Sequence, residues 1–128
     1  MKIRIILATL GLMMGLLGLS TASYAQDAEK GAMVFKKCMA CHTIEDKNKV
    51  GPSLKGIVGR KAASVEGFKY SDAMLAKGAE GVIWDEATLA IYLPDPKAFV
   101  PGTKMTFPGL KVPEDVANVI AFLKTKGM

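Results

Sequence analysis

Histidine and cysteine are nearly absent from this chain. Its 128 residues hold one histidine and two cysteines, and all three fall within the five residues "CMACH", Cys38 to His42. This scarcity limits the chemistry. A zinc site needs about four ligands, so it would have to borrow a carboxylate, and consecutive Cys41 and His42 are awkward corners for a tetrahedron. A bridge between cysteines two residues apart closes a tiny loop and constrains the unfolded chain little. A thioredoxin-like redox pair belongs beside a βαβ pattern, and alternating β patterns are scarce here. Without a second histidine, no iron can be held by two histidines of one chain. The sequence also lacks internal repeats, low-complexity tracts and domain linkers. Its length suits one domain and not two.

A long apolar run is missing too. "IILATLGLMMGLLGL", Ile5 to Leu19, is broken by three glycines and is shorter than the roughly 20 apolar residues of a spanning helix. The basic "MKIR" precedes it and the small residues of "STASYA" follow, with Ser23 and Ala25 at the minus-three and minus-one positions of a cleavage site. This is the layout of a secretory signal peptide, with an uncleaved anchor as the alternative. We expect residues 1–25 to be removed and residues 26–128 to form the domain.

Removing 25 residues from 128 leaves 103, with 15 Lys plus Arg against 12 Asp plus Glu and a formal charge of +3. A chain this small has a marginal core and gains from a cofactor or cross-link. The mild positive charge argues against nucleic acid as a partner. It suits an acidic docking face on another protein.

What is present is mostly helix signal and loop. Asp27 caps a predicted helix running towards Cys38, with Met33, Val34 and Cys38 on one side. "VGPSLKGIVGRKAASVEGF", Val50 to Phe68, has little period and reads as loop. "SDAMLAKG" reads as a short helix capped by Ser71 and stopped by Gly78. "DEATLAIYL" starts at a capping Asp85 and ends before Pro94. "PDPKAFVPGTKMTFPG" is too rich in proline for a long helix or central strand. The last segment has Pro113 at its first position. Glu114 and Asp115 suit its N-terminal end and Lys124 and Lys126 its C-terminal end. Val116, Val119, Ile120 and Leu123 recur at helical spacing, and Gly127 is the stop. The expected class is all-α with long loops that need something to pack around.

"CMACH" fits the C-x-x-C-H pattern of covalent c-type haem attachment. Two thiols three positions apart on one turn reach the two vinyl groups of one haem edge. The next residue, His42, then lies under the iron. It binds through one ring nitrogen and donates the other N–H to a carbonyl. The sixth iron position is open to Met, Lys, Tyr, water or nothing. Five methionines follow Ala25: Met33, Met39, Met74, Met105 and Met128. Met33 and Met74 read as core filler, Met39 lies between the cysteines, and Met128 is terminal. Met105, in the stiff "PGTKMTFPG" loop, is the candidate. His/Met ligation raises the potential.

With His42 and Met105 together, the chain resembles class I c-type cytochromes, closest to the mitochondrial cytochrome c and bacterial cytochrome c2 group. The likeness spans the mature chain. Gly31 and Phe35 resemble the family's N-terminal helix pair, with Val119 and Phe122 opposite on the C-terminal helix. "GPSLKGIVGRK" resembles the loop after CxxCH, and "YLPDPKAFVPGTKM" the ligand loop. The resemblance implies a small all-α cytochrome c fold. Its N- and C-terminal helices pack together, and shorter helices and long loops wrap one haem c held through Cys38 and Cys41. It implies that the Pro52 carbonyl accepts the His42 N–H. It implies that Arg60, Tyr70 and Trp84 serve the haem propionates, with Tyr92 near the Met105 sulfur and Thr103 in the same network. The segment from Tyr70 to Trp84 is a few residues longer than in mitochondrial forms, which leans towards the bacterial branch.

The implied function is a soluble, monomeric, periplasmic electron carrier and not an enzyme. The implied donor is a cytochrome bc complex, and the acceptor an oxidase or a photosynthetic reaction centre. Lys36, Lys37, Lys55, Lys97, Lys104 and Lys111 lie near the ligand motifs and are candidates for a docking ring. The rival from another class is a haem peroxidase or gas-binding sensor with a labile sixth ligand. A third possibility is a binding module without haem.

Overall fold

The computed structural model describes Gly18 and residues 26–127. The expected cleavage site and the rest of the leader lie outside the described residues, as does Met128. Among the described residues five helices follow in order: α1 Ala28–Phe35, α2 Asp72–Ala79, α3 Glu86–Tyr92, α4 Pro96–Phe99 and α5 Pro113–Lys124. Among the described residues there is no strand element, only one antiparallel bridge between Lys61 and Ile83. None of the described helices is long and apolar enough to cross a membrane.

Helix α1 starts as expected, because the Asp27 carboxylate accepts from the N–H groups of Glu29 and Lys30 at 2.9 and 3.1 Å. It ends at Phe35, sooner than the sequence suggested. Tighter bonds take over there: Cys38 N donates to Phe35 O at 2.8 Å and Lys37 N to Val34 O at 3.1 Å. Its buried face is Gly31, Val34 and Phe35. Met33, expected on that face, is 61% exposed. At about 100° per residue it points roughly 200° away from Gly31, and Gly31 is what α5 covers.

That crossing explains the glycine. A β-carbon on residue 31 would run into the backbone carbonyl of Asn118 and the Phe122 side chain. Phe35 and Phe122 then meet with ring centroids 5.2 Å apart. Asn118 is almost fully buried, and its Oδ1 accepts from the Asp27 N–H at 2.9 Å. The start of α1 is thereby fastened to the middle of α5. Val116, Val119, Ile120 and Leu123 are all buried, so the spacing of α5 reads true.

The shorter helices wall the remaining space. Ser71 caps α2 by accepting from Met74 N at 3.1 Å. Gly78 does not stop it; α2 continues to Ala79 and the backbone turns at Gly81, with φ of 81°. Gly78 is instead a close approach, where a β-carbon would press on the Ala62 carbonyl. Asp85 caps α3 through Thr88 N at 2.7 Å, and α3 buries Leu89 and Tyr92. One turn, α4, forms inside the proline-rich segment under the Asp95 cap. Lys124 of α5 reaches Glu86 of α3 at 3.1 Å. Both side chains are nearly half exposed, so the pair contributes little.

Candidate haem site

The CxxCH segment forms a single helix-like turn after α1. Cys41 N and His42 N both donate to Cys38 O, at 3.2 and 2.9 Å. The two cysteines are not bridged to each other; Cys38 is half-buried and Cys41 exposed. Burial pushes the Cys38 thiol up from its ordinary value.

The His42 ring is held from two sides. Its Nδ1–H donates to the Pro52 carbonyl at 2.7 Å, as the resemblance implied. That bond leaves Nε2 with its lone pair for a metal. Burial lowers the His42 pKa, which favours the neutral, ligating form. The backbone of Gly51 lies against the imidazole so closely that a β-carbon there would overlap the ring. The turn is closed by Gly51 N donating to Cys41 O at 2.8 Å. Gly51 and Pro52 read in the sequence as part of a loop, but no local signal marked Gly51 as the floor under an imidazole.

The second candidate ligand is held by its own loop. Thr103 N donates to Val100 O at 3.0 Å, Gly102 takes φ of 85°, and Met105 N donates to Thr103 Oγ1 at 3.2 Å. The Tyr92 hydroxyl donates to the Met105 sulfur at 3.7 Å. Tyr92 is buried, and burial first and the Cys38 thiol second push its pKa up to about 12. Cys38 and Met105 pack on the same core, which includes Tyr92 and Trp84.

The three residues expected around the propionates also converge. Trp84 N donates to Arg60 O and Gly59 N to Trp84 O, both at 2.8 Å, which ties Arg60 and Trp84 side by side. Burial lowers the Arg60 pKa, with Tyr70 acting weakly in the opposite direction. The Arg60 guanidinium donates to the carbonyls of Lys55 and Ser53 at 3.0 and 2.9 Å. The Tyr70 hydroxyl accepts from Val65 N at 2.9 Å. Trp84 is buried against the rings of Tyr92 and Phe99. Met74 packs at the edge of the core.

The cytochrome c family profile matches residues 28–126. The chain belongs to the cytochrome c family. Cytochrome c2 of Rhodomicrobium vannielii is 54% identical over 110 residues, covering 84% of this chain and 86% of that one. The solved cytochrome cH of Methylobacterium extorquens is 50% identical, with a TM-score of 0.73 over 78% of this chain and 99% of its own. The solved cytochrome c2 of Rhodospirillum centenum is 39% identical, with a TM-score of 0.75 over 80% and 99%. The protein is thus a class I c-type cytochrome near the c2 group, with the small all-α fold of that family. It carries covalently bound haem c and is an electron-transfer protein, not an enzyme.

The residues fit that group. Two unbridged thiols, Cys38 half-buried and Cys41 exposed, flank one turn, and the adjacent imidazole has Nδ1 engaged and Nε2 free to ligate. A half-buried thioether is oriented by a tyrosine hydroxyl.

Proposed function

We propose that this protein is a soluble periplasmic electron carrier whose haem c is anchored by Cys38 and Cys41 and ligated by His42 and Met105. When bound, haem c supplies a one-electron ferric/ferrous couple. The chain's residues set the terms of that couple. Pro52 orients His42 and raises its basicity by accepting its N–H. Tyr92 holds the Met105 thioether and Thr103 the Met105 backbone N–H, and the thioether is a soft ligand that favours reduced iron. Arg60, Tyr70 and Trp84 would meet the propionates with one cation and two donors. The buried rings of Trp84 and Tyr92, with the partly buried ring of Phe99 against them, keep water out. Held by these contacts, His42 and Met105 would keep their positions in both oxidation states, so little would rearrange when an electron moves.

The observation that carries this reading is the Tyr92–Met105 hydrogen bond at 3.7 Å. A hydroxyl spent on a thioether makes sense where the sulfur's direction matters. The donor we propose is a cytochrome bc complex, and the acceptor a terminal oxidase or photosynthetic reaction centre. The family and its c2 relatives support the electron-carrying role. The basic mature charge, with Lys36, Lys37, Lys97 and Lys104 exposed, supports docking to acidic faces.

An optical experiment separates this reading from a peroxidase or gas sensor. The ferric protein should show the weak far-red sulfur-to-iron band, and carbon monoxide should hardly bind the ferrous form. Met105→Ala should lose the band and gain both carbon monoxide binding and peroxidase activity. Rapid carbon monoxide binding by the native protein would remove Met105 from the iron.

A further inference from the structure

Asn48 stands in the loop after the CxxCH turn, half-buried and outside the site as described so far. Its Oδ1 accepts from Ser53 N at 2.9 Å. The Ser53 N–H belongs to the same peptide group as the Pro52 carbonyl, and that carbonyl accepts from His42 Nδ1 at 2.7 Å. A single amide plane therefore has Asn48 on its donor side and His42 on its acceptor side.

The plane has little freedom to move. Gly51 N donates to Cys41 O, and the Gly51 carbonyl accepts from Lys49 N at 2.9 Å. Ser53 is buried; its Oγ donates to the Glu45 carbonyl and its own carbonyl accepts from Arg60 at 2.9 Å. The Asn48 Nδ2 donates to Glu66 O at 3.4 Å, which fixes the orientation of the side-chain amide and turns Oδ1 towards Ser53.

Hydrogen bonds in series polarise one another, by roughly 10–30% per bond. An amide whose N–H is drawn to an acceptor carries more negative charge on its oxygen. The Pro52 carbonyl then accepts more strongly from His42, and the imidazole becomes a better electron donor at Nε2. Groups of this kind beyond a metal's direct ligands tune affinity and potential.

We propose that Asn48 is a positioning residue for the haem couple, acting through the Pro52–Ser53 peptide to strengthen His42 as a ligand and hold the potential down. The proposal rests on His42 being the axial ligand. That premise is checked separately, in the native protein, by the paramagnetic shifts of the His42 ring protons between ferric and ferrous forms. Their absence removes the premise whatever the variants do.

The test is Asn48→Ala in the holoprotein, with the midpoint potential and the His42 Nδ1–H proton resonance measured together. The expected result is an upfield move of that resonance and a higher potential. The ferric/ferrous ratio at fixed potential should shift about threefold towards ferrous, or about 28 mV at 59 mV per tenfold. A merely structural loss acts the other way: a loosened loop admits water, which favours the charged ferric site and lowers the potential. Asn48→Asp keeps an acceptor for Ser53 N–H and makes it stronger. It should move the resonance downfield and lower the potential, and it keeps the test open if the alanine variant does not fold. An unmoved Nδ1–H resonance in either variant overturns the proposal. So does a potential in Asn48→Ala that stays or falls.

Discussion

Gly51 is the surface on which the His42 imidazole rests: the backbone of one residue and the ring of the other are so close that no β-carbon fits between them. The same short loop supplies the Pro52 carbonyl that holds Nδ1. Orientation and contact are therefore set by two adjacent residues. Gly51→Ala should force the ring or the loop to shift. Overpacking of this kind costs about 1–3 kcal/mol. Haem loading and the axial-ligand spectrum should both suffer, and an unchanged ligand spectrum in the alanine variant would show that the ring has room.

Removing the Tyr92 hydroxyl should free Met105 without a large loss of fold. Tyr92→Phe keeps the ring that packs on Trp84 with centroids 4.7 Å apart and deletes the bond to the sulfur. A net loss of about 1 kcal/mol is expected for one such bond. The sharper readout is the far-red sulfur-to-iron band, which should weaken or fade at lower temperature than in the parent. An equal band across the melting range would mean that Tyr92 does not hold the thioether.

The α1–α5 crossing should be intolerant of one methyl group. Gly31→Ala pushes a carbon into the Asn118 carbonyl and Phe122, and the helices must separate. The expected cost is about 1–3 kcal/mol, with Tm falling by about 4–8 °C per kcal/mol in a domain of this size. Asn118→Ala should cost about 1 kcal/mol through the lost bond to Asp27 N. Thermal unfolding of the two variants beside the parent measures both.

Acid should weaken the α3 end of the fold. The hydrogen bond to Lys124, and then its charge, lower the Glu86 pKa, and the Thr88 N–H lowers that of Asp85. A lowered carboxylate contributes stability that is complete above its unfolded value and is lost as pH falls through the folded one. Both groups lie on the surface, so the effect is small. Glu86→Gln should melt below the parent at neutral pH, with the difference closing on the acid side of the ordinary carboxylate range. A gap that persists in acid would rule out this ion pair as its source.

Docking should depend on lysines unevenly. Lys55 is paired with Asp46 at 2.8 Å, and Lys111 Nζ donates to the Pro94 carbonyl at 2.5 Å. Lys97 and Lys104 are exposed with no ion-pair partner among the described residues. Lys104→Gln should slow electron transfer to an acidic partner at low salt more than Lys55→Gln does. The two variants should converge as salt screens the encounter. Rates that ignore salt altogether would sink the docking claim.

The amino-acid order alone determined the helical frame and the chemistry of the attachment. Capping aspartates, Pro113 and the α5 spacing act within a few residues, and so do the two thiols and imidazole of one turn. What lay beyond its reach was every relationship made across a gap in the chain. Met33 reads as core by period, yet α5 covers Gly31 instead. Gly78 reads as a helix stop, yet it is a close approach to Ala62. Asn118 carries no signal in the α5 pattern, yet it is buried and bonded to residue 27. Met105 stood out by elimination and by its stiff loop, and the family likeness placed Tyr92 beside its sulfur, but spacing alone could not bring those two side chains together. Tertiary structure decided these points, since a side chain's role there depends on which distant backbone it meets. A spacing rule sees only neighbours along the chain.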